Sequence, residues 1–252
     1  MRKMRDRRHS GQALILAALT IAVLMISTNI YLYRLSKIEV ETDHDILCDY
    51  ILNIRLGSRR VVEASLANVT WGGSTQVLAD NLERWSSFLE EEYRLGSCLL
   101  TATPRSTAPY SSGLWISWGS DGTGISSAYS IFDLKLTGKG AGVNLTQAVE
   151  VTTMLLVSGS FTRITGNIKA VSVTCRLFNE GTPALAQNIT LLYLKLGAWT
   201  DPTVLPDYSY TDYGNGTYLF SFTDEIPGDH VTVSAQCYDR RTIYVQAEAE
   251  FR

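Results

Sequence analysis

The sequence predicts an α+β chain that is anchored in a membrane by one N-terminal helix and carries a small α+β region and an all-β sandwich outside. Three observations predict this: an uncharged apolar run behind a basic N-terminus, two later stretches with helical periodicity, and short alternating segments between turns in the C-terminal half. With 252 residues, 45% of them apolar, the chain can form folded cores. We predict a basic leader at 1–11, a transmembrane helix at 12–33, a helical stalk with a small α+β domain at 34–140, and the sandwich at 141–252.

The predicted span is the run from residue 13 to residue 32, which contains no charged residue. A helix rises 1.5 Å per residue, so this run covers about 30 Å, the thickness of a hydrocarbon core. A cleaved signal peptide usually has a shorter apolar region followed by small residues. A buried helix of a soluble protein usually has a polar face. Both stay as alternatives to a retained single crossing.

Charge predicts the orientation of this helix. The first 11 positions contain five of the 22 Lys and Arg residues and only one of the 25 Asp and Glu residues. Basic flanks stay in the cytoplasm, so we expect a single-pass cell-membrane protein in contact with lipid, with its body outside the cell. The remaining 17 basic and 24 acidic residues give a net charge of −7. That balance excludes the basic surface of a nucleic-acid-binding protein.

Two stretches after the span have helical periodicity. Residues 35–66 carry an apolar stripe with an i, i+4 spacing, which predicts an amphipathic helix weakened at Gly57 and Ser58. Residues 75–95 repeat the pattern, and Gly96 is placed to end the second helix. We expect the second helix to pack on the first.

The rest of the chain has the short, β-branched and aromatic segments that are typical of strands. Glycines at 138–142 indicate a connection, so we place the domain boundary near residues 138–146. Residues 201–210 are expected to form a loop. The predicted strands are 98–103, 114–118, 128–136, 149–157, 168–178, 188–196, 217–223, 231–238 and 242–251.

Asparagines in Asn-X-Ser/Thr sequons agree with an exported body. All of them follow the span, where glycosylation in an extracellular compartment is possible. The candidate glycosylation sites are Asn68, Asn144, Asn188 and Asn215.

The four cysteines are expected to form disulfides outside the cell. The simplest pairing joins Cys48 to Cys98 and Cys175 to Cys237, so that each bond stays within one domain. Other pairings and buried free thiols stay open. The cysteines lack CxxC spacing and the three histidines are far apart in sequence, so no metal site and no cofactor are predicted.

No arrangement of residues predicts catalysis. The segment Gly119–Gly124 lacks the lysine of a phosphate-binding loop and is expected to be a hairpin turn. His44 stands between two aspartates on a helix whose adjacent positions point in different directions. His230 lies at a predicted turn. We therefore expect a protein without enzymatic activity and name no catalytic residue.

Aromatic side chains are the remaining candidates for a binding function, because flat aromatic surfaces bind sugars and proteins. The predicted loop near residues 201–210 presents the cluster Tyr208, Tyr210 and Tyr213. The tryptophans considered with it are Trp71, Trp85, Trp115, Trp118 and Trp199.

The segment Asp212-Tyr-Gly-Asn-Gly-Thr-Tyr218 places a Gly-Asn-Gly turn before an aromatic strand. It resembles the Asp-x-Gly-x-Tyr signature of immunoglobulin-like domains and the corresponding turn of prokaryotic surface modules. The resemblance covers about residues 148–252 and implies an immunoglobulin-like β-sandwich.

The N-terminus resembles a second family. Arg8-His-Ser-Gly11-Gln12 and the following apolar run are similar to the leader and helix of type IV pilin-like proteins, especially archaeal pilins and tight-adherence pseudopilins. The resemblance implies cleavage between Gly11 and Gln12 and assembly of the helices into a cell-surface filament. Leu16 departs from the family, because bacterial pilins usually carry glutamate at the equivalent position. An uncleaved anchor is the alternative.

Together these patterns predict a cell-surface structural or adhesive protein, pilin-like or singly anchored, that displays an immunoglobulin-like domain. Its expected partners are further copies of itself or other pilin-like and envelope proteins. The alternatives are a membrane-tethered accessory or sensor subunit of an export or filament machine, and an envelope enzyme.

Overall fold

The computed structural model describes residues 3–94, 96–138 and 141–252, except for the side chains of residues 3–17, 35–46 and 141. The chain divides into two compact units, Met1–Ile54 and Arg55–Arg252. The fold is α+β, and the second unit contains a large antiparallel β-sheet region. This part of the predicted fold class is confirmed.

Within the described residues the chain forms two α-helices, twelve strands and one short 3-10 helix. In chain order they are α1 (Lys3–Thr70), α2 (Val77–Glu92), β1 (Gly96–Pro104), β2 (Leu114–Trp118), β3 (Thr123–Gly138), β4 (Ala141–Thr165), β5 (Ile168–Asn179), β6 (Thr182–Pro183), β7 (Ala186–Lys195), β8 (Ala198–Thr200), the 3-10 helix (Pro202–Val204), β9 (Ser209–Asp212), β10 (Thr217–Glu225), β11 (Val231–Asp239) and β12 (Tyr244–Phe251).

The first unit is built from α1. The side chains of residues 18–34 are all exposed, including large apolar ones. Among the residues whose side chains are described, no helix is apolar over a sufficient length to cross a membrane. Residues 13–17, the first five of the predicted span, lie outside that set.

In the second unit, the last part of α1 packs against α2. The helix α1 does not break at Gly57 and Ser58, where we predicted a weak point. Instead the indole of Trp85 lies against Gly57, and its Nε1 donates a hydrogen bond of 3.1 Å to Ser58 Oγ. These two small residues therefore admit the tryptophan and leave the helix continuous. Asn81 Nδ2 donates a second bond of 3.0 Å to Ser65 Oγ.

Two antiparallel sheets make up the rest of the second unit. The larger has the order β1-β3-β4-β5-β10-β9, with β2 paired to β3 and β6 paired to β5. The smaller has the order β12-β11-β7-β8. All nine predicted strand segments are confirmed as strands, although the observed ends differ by several residues.

A hydrophobic core lies between the two sheets. The larger sheet contributes alternate residues of β5 and β10, such as Val173 and Phe220, and the smaller contributes those of β11 and β12, such as Val233 and Val245. Alternation puts every second side chain on the same face, which is why these strands alternate between apolar and polar residues. Two antiparallel sheets therefore face each other across this core.

Two features differ from the sequence-based expectation. Residues 209–212 form β9 instead of continuing the loop, because they pair with β10 at the edge of the larger sheet. The domain boundary near residues 138–146 stays a prediction; β3 ends and β4 begins there, and β3 pairs with β4 along its whole length. α2 ends at Glu92, and Gly96 begins β1.

The hairpin of β11 and β12 is closed by a buried carboxylate. Asp239 has no exposed surface, and its oxygens accept hydrogen bonds from the backbone N–H groups of Arg241 and Ile243, from Arg241 Nε and from Thr153 Oγ1. Arg241 also contacts Glu180 at 2.6 Å. Buried charges need such partners, so this network holds the hairpin tip in one conformation.

Candidate functional site

The predicted tyrosine cluster contributes to a surface pocket of about 250 Å³. Tyr208 and Tyr210 form one side together with Tyr218, and the beginning of β7 forms the other. A volume of this size admits a group as large as a single sugar or amino-acid side chain. The lining residues are Ala186, Gln187, Asn188, Ile189, Tyr208, Tyr210, Asp212 and Tyr218.

Strand pairing brings the tyrosines together. Asp212 lies opposite Tyr218 and Tyr210 lies opposite Phe220 in the register of β9 and β10. The ring of Tyr210 is nearly parallel to that of Tyr218, at a centroid distance of 6.4 Å and an angle of 7°. It also contacts the ring of Phe220 at 5.1 Å. The exposed tyrosine is thus supported by buried aromatic rings.

The Gly-Asn-Gly turn fixes the connection from β9 to β10. Gly214 and Gly216 have φ angles of +68° and +84°, which residues with a Cβ rarely adopt. Asp212 Oδ1 accepts a bond of 2.7 Å from the Gly214 N–H, and Asn215 Oδ1 accepts one of 3.0 Å from the Thr217 N–H. These side chains shape the turn in the way that asparagine and aspartate commonly do.

The two sides of the pocket are joined by one hydrogen bond. Tyr218 is buried, and its hydroxyl oxygen accepts a bond of 2.7 Å from the Ala186 N–H at the start of β7. Ala186 belongs to the smaller sheet and Tyr218 to the larger. The pocket therefore lies where both sheets meet, and its walls are held at a fixed separation.

The electrostatics of the pocket favour binding over acid–base chemistry. Burial, together with nearby acidic groups, raises the pKa of Tyr208, Tyr210 and Tyr218 above the usual value of 10.0. The phenols therefore stay protonated at neutral pH and can donate hydrogen bonds, but they are poor bases. Asp212 and the amides of Gln187 and Asn188 add polar groups.

The structure separates the third predicted residue from the other two. Tyr213 is exposed and does not line the pocket; its backbone N–H donates to the Thr217 carbonyl within the turn. The segment from Ala186 to Ile189 was missed by sequence reasoning. The alternating pattern of a strand does not show which loop the end of that strand will face. No local signal therefore placed this segment in a pocket.

Asn188 has two assignments that compete. It lines the pocket and it is the asparagine of a sequon. A glycan attached there would cover the pocket. The asparagines of all four sequons are exposed in the structure, and their glycosylation stays a prediction.

The cysteines differ in their surroundings. Cys175 in β5 and Cys237 in β11 are free thiols in the common core of the two sheets. Burial raises the pKa of Cys175 to about 12, and burial followed by the neighbouring Asp239 raises that of Cys237. Cys48 belongs to the first unit and Cys98 to the second. Both predicted disulfides stay predictions.

The remaining sequence candidates are not part of this pocket. The segment Gly119–Gly124 connects β2 to β3, and Asp121 Oδ1 accepts a bond from the Thr123 N–H, so the expected hairpin turn is confirmed. The carbonyl of His230 accepts a bond of 2.9 Å from Lys169 Nζ. The surroundings of Gly11 and the side chains of Gln12 and His44 lie outside the described part of the chain.

Within the described part of the chain, no group of three or more His, Cys, Asp or Glu side chains could hold a metal ion. Comparison with models of known protein families and with curated proteins found no match to this chain. The functional assignment therefore depends on the chemistry of the chain itself.

Proposed function

We propose that this chain is a cell-surface protein of the structural or adhesive kind. Residues 13–32 would anchor it in the cell membrane, with residues 1–11 in the cytoplasm and the second unit outside the cell. The observation that carries the proposal is the uncovered apolar surface of α1 between residues 18 and 34.

Four consecutive residues show how complete this exposure is. Val23, Leu24, Met25 and Ile26 are between 58% and 64% exposed. Successive side chains on a helix are rotated by about 100°, so these four point to all sides of the helix axis. A surface helix of a soluble domain buries one apolar face, and here every side is apolar and uncovered. Lipid or neighbouring apolar helices would cover such a surface.

Pilin-like assembly is the part of the proposal that explains the leader. A basic segment ending in Gly11, followed at once by the apolar helix, provides a peptidase site and a helix that can pack with copies of itself. The two-sheet sandwich and its Gly-Asn-Gly turn support an immunoglobulin-like domain displayed outside. The tyrosine pocket supplies a position where an adhesive contact can form.

Alkaline extraction of membranes from cells that produce the full chain tests the anchor. We expect the chain to stay in the membrane pellet. The variant Leu24→Arg with Ile26→Arg should move into the soluble wash, because each arginine at the centre of a span costs about 2.5–3.5 kcal/mol. Leu52→Arg is the matched control, since Leu52 is also an exposed leucine of α1 but lies outside the apolar run. Recovery of the unaltered chain in the wash would overturn the proposal.

Mass spectrometry of the mature N-terminus tests the pilin-like part separately. A chain that begins at Gln12, found in purified surface filaments, is the expected result. An intact segment from Met1 to Gly11 would contradict pilin-like processing and leave a plain anchor, whose test is the extraction above.

A further inference from the structure

Four aromatic side chains form an unbroken row on the second unit. Trp71 follows α1, Tyr238 and Tyr244 lie opposite each other in β11 and β12, and Trp118 ends β2. Each ring centroid is 5.0 Å from the next, in the order Trp71, Tyr238, Tyr244, Trp118. The two tyrosines alternate with core residues of their strands, so the row lies on the face of the smaller sheet that points away from the core.

Hydrogen bonds hold both indoles in place. Trp71 Nε1 donates a bond of 2.8 Å to the Thr242 carbonyl at the hairpin tip. Trp118 Nε1 donates one of 3.1 Å to Ser126 Oγ, which in turn donates one of 2.7 Å to the Tyr244 carbonyl. Because the rings are already ordered, a ligand that stacks on them loses little affinity to side-chain entropy.

The ends of the row are open to solvent. Trp71 is 65% exposed and Trp118 is 41% exposed, while the two tyrosines between them are half-buried. Packing on the tyrosines therefore leaves a large part of each indole uncovered. Two large rigid aromatic surfaces in fixed positions are typical of a binding surface.

Polar side chains continue from the row along β12. Tyr244 Oη donates a bond of 2.7 Å to Gln246 Oε1. Gln246 Nε2 donates to Ser234 Oγ at 3.1 Å and to Glu248 Oε1 at 3.4 Å. The donors of Tyr244 and Gln246 are used within this chain of bonds, whereas the carboxylate of Glu248 keeps acceptor positions that a hydroxyl group of a ligand can fill. The ionised member of this hydrogen-bond chain is the carboxylate of Glu248, which disfavours an anionic ligand.

We propose that this row is a binding site for an extended chain of neutral pyranose sugars. Pyranose rings present C–H groups on their flat faces, which stack on aromatic rings, and hydroxyl groups at their edges, which bind amides and carboxylates. Three steps of 5.0 Å place the two indoles at most about 15 Å apart, a span that a chain of a few such sugars covers. An apolar peptide side chain or a lipid tail offers no hydrogen-bond donor, so it would bury the Glu248 carboxylate beside it without filling the acceptor positions that Gln246 leaves open.

The site adds a ligand class to the proposed surface protein and does not depend on its membrane attachment. Sugar binding and alkaline extraction are separate measurements, so either proposal can fail without the other. The tyrosine pocket lies around the start of β7, where Asn188 pairs with Tyr238, so the two sites are neighbours at the same end of β11. They share no lining residue.

The test is calorimetric titration of the full chain, purified in a detergent without sugar groups, with chitohexaose and with cellohexaose. We expect one or both to bind, and heparin, a polyanion, not to bind. Trp118→Ala should weaken binding by about tenfold, which corresponds to 1.4 kcal/mol. Trp199→Ala is the matched control: Trp199 is 42% exposed, lies on β8 and is not part of the row, so its variant should bind within about twofold of the unaltered chain.

A protection experiment on the unaltered chain makes the test independent of whether the variants fold. Tryptophan oxidation by N-bromosuccinimide is mapped by mass spectrometry with and without the bound sugar. Protection of Trp71 and Trp118, with Trp199 unchanged, supports the site. Failure of both neutral sugars to bind, equal protection of all three tryptophans, or equal weakening by Trp118→Ala and Trp199→Ala would overturn it.

Discussion

Replacement of Gly57 by alanine should change the free energy of unfolding, and the sign of the change should depend on whether Trp85 is present. A Cβ at Gly57 would lie 2.5 Å from Cη2 of the Trp85 indole, whereas carbon atoms pack at about 3.5–4.0 Å. The ring would have to move by about 1 Å or more. Its hydrogen bond to Ser58 and its stacking on Phe88, at a centroid distance of 5.7 Å, both resist that movement.

The magnitude follows from three opposing contributions. Forcing extra atoms into a packed site costs about 1–3 kcal/mol. Loss of the Trp85–Ser58 hydrogen bond adds about 1 kcal/mol. Alanine in place of glycine inside a helix returns about 1 kcal/mol. We therefore expect Gly57→Ala to lower the free energy of unfolding by about 1–3 kcal/mol.

A double-mutant cycle supplies the control. Trp85→Phe removes the part of the indole that the new Cβ would meet, so in that background Gly57→Ala should be neutral or stabilising by up to about 1 kcal/mol. The assay is urea unfolding of the full chain followed by far-ultraviolet circular dichroism, which does not depend on tryptophan fluorescence. A stabilising effect of Gly57→Ala with Trp85 present would refute the reasoning.

Three further predictions concern buried groups. Asp239→Ala should lower the free energy of unfolding by about 3 kcal/mol in the same assay, because it leaves Arg241 Nε and the backbone N–H groups of Arg241 and Ile243 without their acceptor. A loss under 1 kcal/mol would contradict this. Burial works to raise the pKa of Asp224, but hydrogen bonds from Lys195 and Tyr193 hold it below the usual 3.8. The ionised Asp224 therefore stabilises the fold above pH 3.8, and this stabilisation is lost as the pH falls through the lower pKa of the folded state. The difference in free energy of unfolding between the unaltered chain and Asp224→Asn should shrink on acidification. A difference that does not change with pH would count against this prediction. As a thiol, Cys175 should react with iodoacetamide much more slowly than a free cysteine at about pH 8, because burial raises its pKa to about 12 and leaves the side chain without exposed surface. Labelling of the folded chain at the rate of a free cysteine would contradict this. Labelling after unfolding without reductant then separates thiols from the predicted disulfide.

Much of the secondary structure could be predicted because its signals are local. Alternation in β11 and β12 and the i, i+4 pattern of α2 reflect which face of each element is buried, and this can be read without knowing the partner. The turn at Gly214 and Gly216 was equally local, since the glycines themselves permit the positive φ angles.

The candidate sites were predicted in part. Tyr208 and Tyr210 were identified as a possible binding surface, but Tyr218 was assigned to a strand, and the facing end of β7 had no signal. In the aromatic row, Trp71 and Trp118 stood out as tryptophans, whereas Tyr238 and Tyr244 looked like ordinary strand residues. Nothing in the spacing of Trp71 indicates that its indole would bond to the carbonyl of Thr242, 171 positions further along the chain.

The sequence by itself determined the elements of this protein: the uncharged apolar run, the strands, the turn and the acidic character of residues 12–252. Only the tertiary structure decided which strands pair, why Gly57 is a glycine, and which aromatic rings lie in one row. The physical reason is that periodicity and turn chemistry involve residues a few positions apart, while sheet order and side-chain contacts depend on packing between segments that are distant in the chain.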